Sequence, residues 1–307
     1  MQNDKIKVNI LVCHHKESDY IKTECLIPIQ VGRAIAPYKL DYCIGDDTGD
    51  NISHKNKNWC ELTAMYWQWK NVDADYYGLF HYRRYLSFRH EKSFYSEENL
   101  NESVLNKHGL HNGTIKETCK SNAIIFSTRD KVYQTLNSGK PLTIYEQYCE
   151  EHYRKDIDDL LLIIKNDYSA YYLTAQQIMN SYECSFGNLI IMRKDYYHEY
   201  CEFLFGVLEK LEKQIDIFEY DLYQRRVFGF LAERLTNIYL QKKIDENFSY
   251  KEQSVIFLCE SKKQNIEMLK RNFLTKKSLH VSSDIINICM SFDDNYFIHA
   301  LTAFNSL

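Results

Sequence analysis

The sequence predicts an α/β protein in which a mostly parallel sheet is flanked by helices. Three observations carry this: an aliphatic, β-branched run at residues 7 to 13; a helical repeat at 60 to 71 that leads directly into another apolar run at 76; and the same alternation between 122 and 241. In such sheets ligands bind outside the carboxyl ends of the strands, which points to residues 13 to 16 and 81 to 84.

Residues 7 to 13, KVNILVC, have the composition of a strand buried on both faces, and they end in the polar cluster His14, His15 and Lys16. Residues 60 to 71, CELTAMYWQWKN, repeat apolar side chains at helical spacing. The segment YYGLFHYRRYLSF at 76 to 88 opens as a strand and runs without a turn signal into His81, Arg83 and Arg84. NAIIFS (122 to 127) reads as a strand, the segments 143 to 153, 156 to 168 and 171 to 180 as helices, and CSFGNLIIMR (184 to 193) as a strand again. Two long C-terminal helices follow, near 194 to 214 and 221 to 241.

At 307 residues and 45% hydrophobic content the chain can bury a substantial core, as one large domain or two modest ones. A formal net charge of -4 provides no general cationic field, which argues against nucleic acid as a partner. Ten cysteines without a C-x-x-C pair or a Cys/His group at zinc spacing point to reduced thiols in a cytoplasmic protein. The N-terminus lacks a signal-peptide layout and no apolar run is long enough to span a bilayer, so peripheral association is the closest approach to a membrane that the sequence suggests. The abundance of aromatics, 25 Tyr and 16 Phe, has two explanations: an AT-rich genome, or surfaces that stack on carbohydrate.

The loop IGDDTGDNISHKN (44 to 56) gathers short polar side chains around two glycines. It reads either as a surface turn, which Asp, Asn and Gly favour for local backbone reasons, or as a contact loop in which Asp47, Asp50 and Asn51 bond sugar or ribose hydroxyls.

Five ordered blocks, GDDTGDNIS, CELTAMYWQWKN, YYGLFHYRRYL, GNLIIMRKDYYHEYCEFLF and RVFGFLAERLTNIYL, together resemble a bacterial glycosyltransferase group carried as domain of unknown function 4422 and found with capsule and O-antigen synthesis. The similarity runs over roughly residues 5 to 245. It implies a GT-A-like, Rossmann-related domain over 1–259, and inverting transfer of galactofuranose from UDP-galactofuranose to a saccharide or lipid-linked glycan acceptor.

Within that resemblance, GT-A enzymes commonly end a middle strand with Asp-x-Asp, which holds a divalent cation against the donor diphosphate. HYRR stands at the corresponding place here. Arg83 and Arg84 are therefore the candidates for neutralising the diphosphate, with His81 beside them and no metal required; the other reading makes them strand-end salt bridges. Alternation along a strand would send the two side chains to opposite faces. The literal Asp-x-Asp at Asp73 to Asp75 precedes the strand, away from the ligand edge. His14 is assigned to the nucleotide, or else caps the first strand. Inverting transfer needs a base for the acceptor hydroxyl, and Glu233, among apolar residues on a helix, is the candidate; pairing with Arg234 is its alternative role. Asp156, Asp158, Asp159 and Glu183 are further carboxylates to test. Tyr148 and His152 are the expected acceptor contacts, on a segment that also reads as a solvated helix face.

Residues 260–284 read as a linker helix. The segment INICMSFDDNYFIHALTAFNSL, within 285–307, resembles the opening strand and helix of family 8 glycosyltransferases, implying fusion to a second transferase domain. Two other readings stay open: a carbohydrate-binding module without catalysis, and a transferase using UDP-galactopyranose or another UDP-hexose. A nucleotide-dependent hydrolase or phosphotransferase is disfavoured by the lack of a G-x-x-x-x-G-K-[ST] loop.

Overall fold

The computed structural model describes residues 6–89, 95–132 and 141–259; the linker and second-domain expectations at 260–307 fall outside the described residues. The strands are β1 (Val8–His14), β2 (Leu26–Gln30), β3 (Ile44–Gly45), β4 (Tyr76–His81), β5 (Arg84–Leu86), β6 (Tyr95–Glu97), β7 (Ile124–Ser127), β8 (Asp130–Lys131), β9 (Glu183–Cys184), β10 (Ile190–Arg193), β11 (Tyr250–Gln253) and β12 (Val255–Leu258). The helices are α1 (Asn56–Trp59), α2 (Leu62–Asn71), α3 (Glu102–His108), α4 (Asn112–Ser121), α5 (Ile144–Glu151), α6 (Arg154–Asp167), α7 (Tyr172–Met179), α8 (Lys194–Glu212) and α9 (Val227–Asp245).

The main sheet runs β11-β7-β10-β4-β1-β2-β3. Within this run only β10 is reversed: it pairs antiparallel with β4 and β7, and the other neighbours pair parallel. β1 shows why its sequence lacks alternation. Val8, Ile10 and Val12 face one core, shared with Leu105, Ile115 and Cys119 of the α3–α4 layer. Leu11 and Cys13 face the other, filled by α2 and α5 to α9. Both faces are covered, so every position is apolar or tightly packed.

Two expected strands prove to be broken. The run 76 to 88 is a hairpin: β4 stops at His81, Tyr82 and Arg83 turn, and Arg84 pairs back against His81. Without Gly, Asn, Asp or Pro in the turn, nothing local announces it. Its cause is tertiary, since β5 pairs antiparallel with β12, with Tyr85 opposite Ile256. The run 184 to 193 divides at Gly187 (φ 85) and Asn188 (φ 52) into β9, which pairs with β8, and β10. Because β10 is reversed, the loop entering it sits at the carboxyl edge of its parallel neighbours, alongside His81.

β11 and β12 are separated by Ser254 alone, yet β11 belongs to the edge beside β7 while β12 holds β5 and β6. Nine consecutive residues thus tie the far edge of the sheet to the hairpin that carries Arg84.

Candidate functional site

The carboxyl edge of β4 opens into a cavity of ≈ 340 Å³. Five residues singled out from the sequence line it: His81, Arg83, Arg84, His152 and Glu233. The hairpin places Arg83 in its turn and Arg84 at the head of the return strand, so the two arginines reach the same cavity without the alternation expected of one continuous strand. Neither guanidinium has a carboxylate within 4 Å among the described residues. Arg83 lies over the Tyr82 ring and Arg84 over Phe257. Arg226, which the sequence reading did not select, adds a third cation to the lining, its Nε donating to Cys60 Sγ at 3.4 Å. Burial, reinforced by Arg84 and Arg83, pushes the His81 imidazole down to about 2, leaving it neutral. Its Nδ1 accepts the Arg83 backbone N–H at 3.3 Å, which leaves Nε2–H as a donor.

Opposite the arginines stands Glu233. Its Oε1 accepts the Gly187 N–H at 3.0 Å, and its Oε2 accepts Arg234 Nη1 at 3.2 Å. The ion pair foreseen as the alternative role is therefore present. It does not exhaust the carboxylate, which keeps free lone pairs and 21% side-chain exposure at the cavity wall. Burial pushes the Glu233 pKa up and Arg234 pulls it back; Glu61 adds to the rise, while the Gly187 N–H and Arg84 oppose it. The outcome is a carboxyl above its ordinary 4.5.

Glu61 is the carboxylate that the sequence reading missed. It follows Cys60, held at φ 51 and ψ -133, and its Oε1 accepts Asn188 Nδ2 at 2.8 Å. Asn188 Oδ1 in turn accepts Thr236 Oγ1 at 2.9 Å, and Thr236 bonds the Tyr200 hydroxyl. Two non-glycine residues in the left-handed half of φ space meet at one side chain of the cavity, a kind of strain that clusters at functional sites. In sequence, Glu61 is indistinguishable from an acid favoured at a helix start.

One side of the cavity is aromatic. His152 stacks on Phe230 with ring centroids 4.1 Å apart, and Tyr223 flanks both. His152 Nδ1 donates to Gln224 Oε1 at 2.9 Å, fixing the ring. Tyr148 is fully buried and lies beneath the Arg234 guanidinium at 5.1 Å, so it supports Arg234 and has no surface to offer an acceptor.

The remaining sequence candidates lie elsewhere. His14 is fully buried, bonded to Ser18 at 2.9 Å, and burial followed by His15 pushes it down to about 4; it lines neither this cavity nor the second one described below. In the 44 to 56 loop the residues selected bond within the protein and line neither cavity. Asp47 faces Arg33 at 4.0 Å, the Asp50 N–H donates to Asn71, and Asn51 bonds back to Gly49. The organising residue is Asp46, which accepts the Gly32 and Arg33 N–H groups and the Ser53 and Thr63 hydroxyls. Asp46→Ala is expected to destabilise the fold by about 3 kcal/mol, since four donors, three of them on buried residues, lose this acceptor; urea unfolding measures it. Asp156 accepts from Tyr220, Asp158 from Tyr145 and Asp159 from Lys155, and like Glu183 they line neither cavity. Asp73 pairs with Lys194, and Asp75 accepts the Lys7 N–H, at the opposite edge of the sheet from Arg84.

A second cavity, ≈ 510 Å³, lies on the β7 side and shares Arg84, Phe186 and Glu233 with the first. Among the described residues no group of three or more His, Cys, Asp or Glu side chains converges as a metal cluster. No helix among them is long and apolar enough to cross a membrane.

Comparison with known proteins bears on these features. No curated protein matches the chain. The apo structure of the bifunctional glycosyltransferase WbbM superposes with a TM-score of 0.76 at 32% identity, over 83% of this chain and 46% of that one. This chain thus spans about half the length of that relative, and the likeness agrees with a GT-A-like α/β fold. The model of the domain of unknown function DUF4422 matches residues 9–244, which hold all but the first residue of β1, together with β4, the arginine hairpin and Glu233. The chain belongs to the DUF4422 family.

Proposed function

We propose that the chain is an inverting glycosyltransferase that transfers a hexose, galactofuranose from UDP-galactofuranose in our reading, to a hydroxyl of a saccharide acceptor in surface-polysaccharide synthesis. The carrying observation is that Arg83 and Arg84 enter one cavity opposite the half-buried carboxylate of Glu233. The likeness to WbbM supports the class of reaction. The acceptor oxygen attacks the anomeric carbon with a lone pair, its proton passes to Glu233, and the bond from that carbon to the diphosphate oxygen breaks with its electrons leaving on UDP. Arg83, Arg84 and the Nε2–H of neutral His81 meet the charge that develops on the leaving group.

The side chains at the carboxyl end of β4 are cationic or neutral, a donor set unsuited to a divalent ion, so no step is assigned to one. Transfer is therefore expected to persist in EDTA. Loss of turnover restored by added Mn²⁺ or Mg²⁺ would return the diphosphate to a metal. The function itself is tested by incubating the full chain with UDP-galactofuranose, UDP-galactopyranose and UDP-glucose against a panel of octyl glycosides. Product mass and anomeric NMR are the readouts. Turnover with inversion and preference for the furanose donor is the expected result; failure of every donor to release UDP would refute the reading and leave a carbohydrate-binding role.

A further inference from the structure

We propose that the second cavity is the acceptor site, a slot for a neutral saccharide that presents its reacting hydroxyl to Glu233 across the wall the two cavities share. This inference rests on the glycosyltransferase reading above. Three observations carry it.

Charge divides the two spaces. In the first cavity the guanidinium groups of Arg83, Arg84 and Arg226 have no carboxylate partner among the described residues. In the second, Arg129 is spent on Glu252, at 2.8 Å from Nη2 and 3.2 Å from Nε, and on Gln241. Apart from Arg84, held in common, no unpaired cation faces the second cavity among its described lining residues. Asp130 adds a carboxylate there, which a diphosphate would avoid.

The remaining lining has the character of a sugar site. Thr128 contributes a hydroxyl group, while Leu189 and the 38% exposed Phe186 contribute apolar surface; the Ser127 hydroxyl is bonded to Ser185 and to the Phe186 carbonyl. Thr128 Oγ1 is buried without a hydrogen-bond partner among the described residues, an unmet requirement on the wall of this cavity. Neutral saccharides combine apolar C–H faces with hydroxyl groups, and a volume of ≈ 510 Å³ lies within the range of small-molecule sites.

Position supplies the third argument. A base for the acceptor hydroxyl must touch the acceptor and stand beside the anomeric carbon of the donor. Glu233 lines both cavities, with Phe186 and Arg84 on the same partition. If the diphosphate lies with the unpaired arginines, the new bond forms at this partition and the acceptor enters from the other side. The step balances as before: the acceptor oxygen gains the anomeric carbon, Glu233 gains the proton, and UDP departs with the bonding pair.

The test uses the full chain and the octyl glycoside with the highest turnover among octyl β-D-galactopyranoside, octyl β-D-glucopyranoside and octyl α-D-mannopyranoside. Val255→Trp fills the slot from its half-buried wall. Thr128→Val removes one hydroxyl without changing volume and serves if the larger substitution impairs folding, as judged by circular dichroism. The acceptor KM is expected to rise about tenfold or more in Val255→Trp and severalfold in Thr128→Val, with the Kd for UDP, measured by calorimetry, within twofold of wild type. An unchanged acceptor KM in both folded variants overturns the proposal, as does a loss of UDP affinity in place of the KM effect. Saturation-transfer NMR of the same glycosides separates this inference from the one beneath it. Glycoside binding that Val255→Trp abolishes, in a protein that releases no UDP, would sustain the slot and refute the transferase reading.

Discussion

Replacing Glu233 with Gln is expected to lower kcat by about 10²–10⁴-fold while leaving the Kd for UDP nearly unchanged. Gln keeps the volume and can still accept the Gly187 N–H, so the loop entering β10 should hold its place. What it lacks is the capacity to take a proton. Because the proton comes from the acceptor, the loss belongs to the transition state and appears in kcat and kcat/KM together. The direction of the Glu233 shift gives a further test. Only the deprotonated carboxylate serves as base, so activity is present above its pKa and falls as pH drops through it. Burial raises that pKa above 4.5, so the acidic limb of kcat/KM should lie above the range of an exposed glutamate and vanish in the Gln variant. Turnover retained within tenfold would remove Glu233 from the role and turn attention to Glu61.

Arg84→Ala is expected to reduce kcat by about 10²–10³-fold and to weaken UDP binding as well. A guanidinium aimed at a diphosphate contributes to ground-state affinity and still more as negative charge develops on the leaving oxygen, so both parameters should suffer. Arg84→Lys should recover only part of the loss, since an ammonium is a point charge without the planar fork. Proximity to Glu233 adds a readout that a merely structural arginine would not move. Arg84 lowers the Glu233 pKa, so its removal should carry the acidic limb upward, and Lys should restore the limb better than it restores UDP affinity. If UDP affinity and the pH profile both stay as in wild type while stability falls, Arg84 serves the β5–β12 pairing alone.

The sheet was legible where local composition and tertiary environment agree. The run at 7 to 13 is buried on both faces and reads so; the helical spacing at 60 to 71 became α2 with a break at Cys60. It was illegible where a distant partner decides. β12 folds the chain back at Tyr82–Arg83, although those residues carry no turn signal, and the short strands β5, β11 and β12 have little period to detect. The reversal of β10 likewise depends on its neighbours β4 and β7 and on nothing within its four residues. Among the residues that line the first cavity, Arg83, Arg84 and Glu233 were selected because charge at a strand end or within an apolar helix stands out. Glu61 was missed because its position resembles a favourable helix start, and Asp47 was selected over Asp46 because adjacent aspartates cannot be ranked for burial from one sequence. Tyr148 looked like a ligand contact because an aromatic on a polar helix gives no sign of which way it faces.

The union of β11 and β12 across Ser254 also bears on how the protein is made. Arg84 and its hairpin leave the ribosome early, whereas the strand that holds them comes at residues 255 to 258. At about 5–20 residues per second the intervening chain takes on the order of 10–30 s to synthesise. During that interval β4 can pair with β1, both already released, but β5 has only its single contact with β4 and the second cavity has no outer wall. A nascent chain can therefore begin to fold long before the second cavity is walled, and the hairpin of Arg84 gains its outer partner at one late step, when β11 and β12 emerge.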